Sequence, residues 1–300
     1  DTLVAWWDIF DDPILLTLVG QARAGNLDVK QAVARIREAR ANVGIARAGL
    51  FPSVSSSGAR RYSRSSEATG SGKESDFYSV GFDAAWEIDI FGGVRRSVEA
   101  ARAELEASEA DLSDVLVTLL AEVALNYIDA RTFQTRLSVA ESNIRLQEET
   151  HELALARYEA GLTSQLDVEE ARSNLESTRA AVPSLRTALE QTKNRLAVLL
   201  GESPGAVDEM LFKRAPVPGA PLDVAVGVPA ETLRRRPDVR LAERRVAAQT
   251  ARVGVATAEL YPKFQLPGSI GLEAFSLDDL FRSGSYAYQW GPSFSWPIFT

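Results

Sequence analysis

The chain has 300 residues, 45% hydrophobic and 25% charged, the proportions of one or two packed globular domains. Its net charge of −8 argues against a nucleic-acid partner, because phosphate binding needs a basic face. There is no cysteine, so neither an oxidising nor a reducing compartment is demanded, and a single histidine, His151, excludes a His-pair metal site. No catalytic motif, metal site or cofactor site is expected.

Taken in chain order, Asp1 is not an initiator methionine and no signal peptide precedes it, so this start reads as a processed or trimmed end. An N-terminal segment, 1–26, leads into a helix over 27–49. Leu50-Phe51-Pro52 then opens a hairpin, 50–90, whose first strand, 53–64, alternates poorly. Its loop, Thr69-Gly70-Ser71-Gly72-Lys73, fails the phosphate-loop pattern, because Glu67 and Glu74 stand where a glycine and a Ser or Thr are required. The returning strand is strict: Tyr78, Val80, Phe82, Ala84, Trp86 and Ile88 alternate with Ser79, Gly81, Asp83, Ala85, Glu87 and Asp89.

From Val94 to Ala160 there is neither glycine nor proline. A helix of that length spans about 100 Å. Ala100, Ala107 and Ala121 with Ala103, Ala110, Val117 and Ala124 form one heptad seam, and Leu105, Leu112 and Leu119 a second on another face, so neighbours are expected on both sides. No run reaches the roughly 18 apolar residues of a membrane-spanning helix; the densest, Val115 to Leu125, contains Thr118 and Glu122. The helix stops at Gly161, and Ser164 with Asp167 reads as a capping box that starts the returning helix. That helix is expected to be interrupted at Pro183 and to end near Gly201, so that 94–200 forms a helical hairpin. Six prolines between Pro204 and Pro237 make 201–237 an irregular connection, and its basic run, Arg234 to Arg236, reads as a solvated approach to the next helix. A helix over 238–260 and a hairpin over 261–300 follow.

The last two pieces repeat the first. At a constant offset of 210 residues, 11 of 25 ungapped positions from Asp28 to Pro52 recur between Asp238 and Pro262. Beyond a dissimilar loop, Gly81, Trp86 and Ile88 recur as Gly291, Trp296 and Ile298. The strand Tyr286, Tyr288, Trp290, Phe294, Trp296, Ile298 alternates with small and polar residues, and Phe264, Leu266, Ile270 and Leu272 do the same in the strand before. By this repeat, the second copy's helices are expected beyond Thr300.

Read singly, one such strand fits a soluble sandwich. Length beyond the 9–11 residues of a membrane strand, aromatic-rich apolar faces, and the lack of further strands to pack against favour a face turned to lipid. Four strands cannot close a barrel, so a membrane barrel would have to be shared between protomers.

Asp89-Ile90-Phe91-Gly92-Gly93 with Arg95-Arg96, then Arg157-Tyr158-Glu159-Ala160-Gly161-Leu162, and above all Leu233-Arg234-Arg235-Arg236-Pro237-Asp238-Val239, resemble the TolC-like outer membrane factors. The closest resemblance is to the lipoprotein branch that serves resistance-nodulation-division efflux pumps, and it covers essentially the whole chain. It implies an α+β membrane protein: a long antiparallel α-helical barrel reaching into the periplasm and a transmembrane β-barrel of four strands per protomer, built from a tandem repeat with the second copy cut short. It further implies a homotrimer in outer membrane lipid, acting as the passive exit duct of a tripartite efflux pump, with a periplasmic adaptor and an inner-membrane pump as partners. By motif match, Gly161, Leu162 and Thr163 form the adaptor-docking tip and Asp167 belongs to the periplasmic gate. Tyr78, Val80, Phe82 and Trp86 with Tyr288, Trp290, Phe294 and Trp296 become the lipid-facing residues. Members of the branch usually carry a lipidated cysteine near the mature N-terminus, which has no counterpart among these residues, so an upstream segment is expected to be missing here. The rival readings are a type I protein-secretion channel, disfavoured by the Arg-Arg-Arg-Pro-Asp motif, and a periplasmic coiled-coil adaptor, disfavoured by the tandem repeat.

Overall fold

The structure, a computed structural model, describes residues 10–219 and 235–299. Residues 1–9 of the N-terminal segment, Pro221, Pro229, Leu233 and Arg234 of the connection, and Thr300 lie outside the described residues. The elements run α1 (Pro13–Gly25), α2 (Leu27–Ala48), β1 (Ser53–Arg64), β2 (Glu74–Ile88), α3 (Gly93–Glu159), α4 (Gln165–Leu200), α5 (Asp208–Phe212), α6 (Pro237–Ala258), β3 (Lys263–Ala274), β4 (Tyr286–Trp290) and β5 (Ser293–Ser295). Two compact units emerge, Asp1–Val33 with Leu112–Leu233, and Ala34–Asp111 with Arg234–Thr300.

In the first unit, α4 presents a heptad line, Val168, Leu175, Val182, Leu189 and Leu196, that is buried or half-buried along its length. This is the seam of a helix packed against one neighbour. Pro183, the next residue after a buried position, is exposed, and α4 runs through it without a break. The expected interruption is therefore absent. A proline deletes one backbone donor, and on the solvent side the freed carbonyl can turn to water. Glu148 pairs with Arg179 at 2.6 Å and Glu141 with Arg186 at 3.9 Å, which sets α4 antiparallel to the second half of α3.

At the other end of this hairpin the chain builds a core. Leu15, Leu18, Val19 and Ala22 of α1 pack with Leu119, Leu120, Val123, Tyr127 and Ala130 of α3, Leu196 and Leu200 of α4, and Val207 and Leu211. The connection after Gly201 is thus not wholly irregular: α5 forms because Val207 and Leu211 have an apolar surface to cover. Asp12 joins the polar and apolar parts. Its Oδ1 accepts from the amides of Ile14 and Leu15, capping α1, while Oδ2 accepts from the Tyr127 hydroxyl at 2.6 Å. That hydroxyl accepts in turn from Arg131 Nε at 3.1 Å. Arg131 is fully buried and also donates to Gln134 Oε1 and the Lys213 carbonyl, both at 2.8 Å. Burial, and the bond to Asp12, push the Tyr127 phenol up to about 12, so it stays a neutral donor at any physiological pH.

Asn26 ties α1 and α2 to α4: its Oδ1 accepts from Asp28 and Val29, and its Nδ2 donates to the Leu199 carbonyl at 2.9 Å. Backbone meets backbone here. A Cβ on Gly25 would stand 2.1 Å from the Leu200 carbonyl oxygen, and Gly201 ends α4 in the left-handed region at φ +74°.

In the second unit the repeat is realised residue for residue. Shifting α2 by 210 gives the bounds of α6, and shifting β1 gives those of β3. Trp86 Nε1 donates to the Leu50 carbonyl, and Trp296 Nε1 to the Leu260 carbonyl, each at 3.1 Å. The last strand differs from the reading of one continuous strand over 286–298. It breaks between β4 and β5 at Gly291-Pro292, where proline offers no ladder donor, and it ends at Ser295. Register survives the gap, because Gly268↔Trp290 and Phe264↔Phe294 belong to one antiparallel alignment. The weakly alternating β1 pairs with β2 over all its 12 residues. Against α3, α2 is held by Arg35–Asp111 at 3.5 Å and α6 by Arg244–Glu106 at 2.9 Å and Arg252–Glu104 at 3.6 Å. Such exposed pairs contribute at most about 1 kcal/mol each, and Ala100, Ala103 and Ala107 of α3 are buried.

The Gly25–Gly201 crossing generates a test in the complete protein. Gly25→Ala forces the backbones apart and is expected to destabilise by about 1–3 kcal/mol, read as a lowered thermal midpoint of the detergent-solubilised protein. Gly20→Ala, in α1 with nothing within 4 Å of the added carbon, is expected to be neutral or stabilising.

Candidate functional site

Two surfaces stand out, one in each unit. The first is the turn between α3 and α4. Gly161, at φ +77°, ends α3: its amide donates to the Tyr158 carbonyl and the Leu162 amide to the Arg157 carbonyl, both at 2.8 Å. This paired return is how a helix stops on a left-handed residue. Nothing lies within 4 Å of a Cβ built on Gly161, so glycine is needed there for conformation and not for space. Leu162 is 71% exposed, an apolar side chain held out at the end of the turn.

Asp167 closes the turn from the other side. Its Oδ2 accepts from the Thr163 hydroxyl, from the Ser164 amide at 3.0 Å and from the Ser164 hydroxyl at 2.9 Å, while Ser164 Oγ accepts from the Asp167 amide. The capping box is complete. The Thr163 hydroxyl first, then the Ser164 amide and hydroxyl, hold the Asp167 carboxyl below the usual carboxylate range. Gly161, Leu162, Thr163 and Asp167 are therefore one local cluster. All the bonds to Asp167 end on Oδ2, leaving Oδ1 outside the cap.

The second surface is the sheet, ordered β1-β2-β3-β4 with β5 continuing beside β3. Registers between adjacent strands put like parity on like face. The even face carries Val54; Tyr78, Val80, Phe82, Ala84, Trp86 and Ile88; Phe264, Leu266, Ile270 and Leu272; then Tyr286, Tyr288, Trp290 and Phe294. Among the described residues no element covers it: Phe82 is 59% exposed, Trp290 75% and Tyr288 68%. The odd face is small or polar, with rows such as Ser57–Gly81–Gly271–Ala287 and Ser55–Asp83–Ser269–Gln289. Gly81 and Gly271 face each other so closely that a Cβ on either would stand 2.6–2.7 Å from a carbonyl oxygen.

The apolar band has polar ends. Toward the β1–β2 loop, Arg60 pairs with Asp76 at 2.9 Å and lies 5.5 Å from the Tyr78 ring centroid, while the Tyr62 hydroxyl donates to Glu74. At the opposite end Trp86 and Trp296 are anchored to the carbonyls of Leu50 and Leu260. Of the eight strand residues singled out in the sequence, seven share the even face of the ladder, and Trp296 lies just past β5. β1 and the β4–β5 side each present one unpaired edge among the described residues.

One surface escaped the sequence reading. Leu125, Val139, Leu146 and Leu153 of α3 follow one another at multiples of seven, and all are exposed, Leu146 at 60%. This line, and not Leu105-Leu112-Leu119, is the one left without a partner in the first unit; Leu119 is buried. The seven-residue spacing was the available signal. No described helix is long and apolar enough to cross a membrane, which says nothing of a β-barrel.

Comparison with known proteins adds a family. The profile of the outer membrane efflux protein family matches residues 18–202 and 228–300. Nodulation protein T of Rhizobium leguminosarum bv. trifolii is 38% identical over 270 residues, covering 90% of this chain and 58% of that protein. The pyoverdine export outer membrane protein OpmQ of Pseudomonas aeruginosa is 34% identical over 292 residues, with 94% and 60% covered. Among solved structures, the outer-membrane channel OprN superposes with a TM-score of 0.92 at 39% identity, covering 97% of this chain and 66% of that one. VceC of Vibrio cholerae gives 0.86 at 26%, covering 98% and 71%. The chain thus spans about 60% of the length of the curated relatives it matches.

The cap at the tip makes a pH prediction. A carboxyl whose folded value lies below its unfolded one contributes order above the unfolded value and loses it as the pH falls through the folded one. Amide exchange over 163–168, corrected for intrinsic rate, should therefore stay slow down through the ordinary carboxylate range and quicken only below it. Asp167→Ala should show the fast tip exchange already at neutral pH, with exchange across the α1–α3–α4 core unchanged.

Proposed function

The chain belongs to the outer membrane efflux protein family, and from that premise we propose that it supplies most of one protomer of a passive exit duct carrying small molecules from periplasm to exterior. The observation that carries the reading is the sheet: one exposed apolar, aromatic face, one polar face and two unpaired edges. Such a sheet is unstable both in water, where the apolar face is wet, and alone in lipid, where each unpaired backbone group costs several kcal/mol. Copies arranged edge to edge, β1 of one against β4 of the next, remove both penalties. Three copies close a barrel within the size range known for membrane barrels, with the even face to lipid and the odd face to the lumen.

The exposed leucine line of α3 supports the same arrangement in the periplasm, since a helix with buried seams and a further apolar heptad line packs as a stave between neighbours. An efflux role through a periplasmic adaptor and an inner-membrane pump follows from the family. We read Gly161, Leu162 and Thr163 as the adaptor-docking tip, and Asp167, with Oδ1 outside its own cap, as the gate residue that holds the periplasmic aperture closed. A duct of this kind performs no chemistry, so its activity resides in docking and opening.

Two experiments test the reading. In the complete protein, Phe82→Arg at the centre of the even face should impair membrane assembly by about 2–4 kcal/mol, whereas Ser79→Arg on the odd face should be tolerated; equal damage from both would place the sheet inside a soluble domain. At the tip, Gly161→Trp should abolish export and adaptor cross-linking while trimers still assemble. Gly161→Ala carries the same backbone strain without the bulk and should retain most of both. Export that survives Gly161→Trp moves docking elsewhere.

A further inference from the structure

The odd face of the sheet is small or polar along its whole length except at one row. Among the described strand residues, Phe77 is its only aromatic. Phe77 stands opposite Arg61 of β1, and on its other side, one step beyond the last β2–β3 pair, it meets Phe275. The two rings meet edge to face, with centroids 6.0 Å apart and planes at 67°. Phe77 is half-buried under this contact and Phe275 is 75% exposed. The row lies at the loop end of the face, and the next row inward is Ala59–Ser79–Glu273. Arg60, one residue away on the other face, is engaged by Asp76 and Tyr78, whereas no ion pair among the described residues engages Arg61 or Glu273.

The contact between the two phenylalanines leaves most of their aromatic surface unused, since Phe275 keeps most of its surface in solvent. Their rings offer an open aromatic face and edge, bordered by a cation and a carboxylate. That combination recognises flat, π-bearing solutes, for which an offset or edge-on ring contact adds about 0.5–1.5 kcal/mol beyond burial. Saturated solutes of equal size gain no such term. We propose that Phe77 and Phe275 form a contact site for planar aromatic solutes at the outer end of the duct. This inference rests on the reading that the odd face lines the lumen.

The test uses single-channel recording of the complete protein in planar bilayers, with solutes added on the loop side. The probes are 1-naphthalenemethanol and, as the ring-free control, cyclohexylmethanol. The aromatic alcohol should reduce conductance through the wild-type channel, and the double variant Phe77→Leu with Phe275→Leu should need a roughly two- to tenfold higher concentration for the same block. Cyclohexylmethanol should act weakly and alike on both. Equal potency of the aromatic alcohol on wild type and variant overturns the proposal. A separate arm addresses the lumen itself: Ser79→Cys, treated from the loop side with a charged, membrane-impermeant thiol reagent, should lower conductance. If that modification changes nothing, the odd face does not line the lumen and the premise of the proposal has failed; if it lowers conductance while the aromatic alcohol blocks wild type and variant equally, the aromatic site alone has failed.

Discussion

An apolar sheet face with two open edges is the constraint from which the remaining architecture follows. From β2 onward the strands alternate so that one face is aliphatic and aromatic, and no helix of the described chain is placed to cover it. The unpaired N–H and C=O groups of β1 and of the β4–β5 side cannot be left in hydrocarbon. In the proposed duct, neighbouring copies supply the missing pairing. The polar ends of the band match that solution: Arg60, Tyr62, Glu74 and Asp76 pair with one another near the loop, and Trp86 and Trp296 are tethered to backbone carbonyls at the helix side. Aromatic rings with one polar atom fit a boundary between lipid and water.

The first unit solves a different problem, that of anchoring two long helices at the end away from their turn. The core of α1, α3, α4 and α5 closes around Arg131, whose charge is buried but whose donors reach Tyr127, Gln134 and Lys213. Nε and Nη1 carry these bonds, Nη2 is buried without a hydrogen-bond partner among the described residues, and the network also fixes which way α1 enters, because Asp12 serves both Tyr127 and the start of that helix. Removing Asp12 would therefore cost a helix cap and a buried bond together. The Gly25–Gly201 crossing beside it permits the close backbone approach that the core needs.

The fold was legible wherever one chemical rule acts on neighbouring residues. The tandem repeat, the strand parity, the helix end at Gly161 and the Ser164–Asp167 cap depend on residues within a few positions of each other, or on a match at one constant offset, and each is realised. Pro183 misled because a proline's effect on a helix depends on which side faces solvent, and that is set by the heptad of α4. The break at Gly291-Pro292 was passed over because Trp290 and Phe294, on either side of the proline, keep the same parity. Of the site residues, their sharing of one face or one turn could be read from spacing, whereas the exposure of Leu146 and Leu153 and the contact of Phe77 with Phe275 required positions far apart in the chain.

Val43 and Val253 draw the boundary. They are the same residue in matched positions of the repeat, in helices with matched bounds, and by itself the sequence determined that both are helical and equivalent. Val43 is 6% exposed and Val253 is 61% exposed, while α6 buries Ala248 and Ala251 instead. Periodicity specifies which residues share a face, because it follows from the geometry of a single helix. Which of those faces is buried depends on where α3 runs, and no property of either helix encodes that.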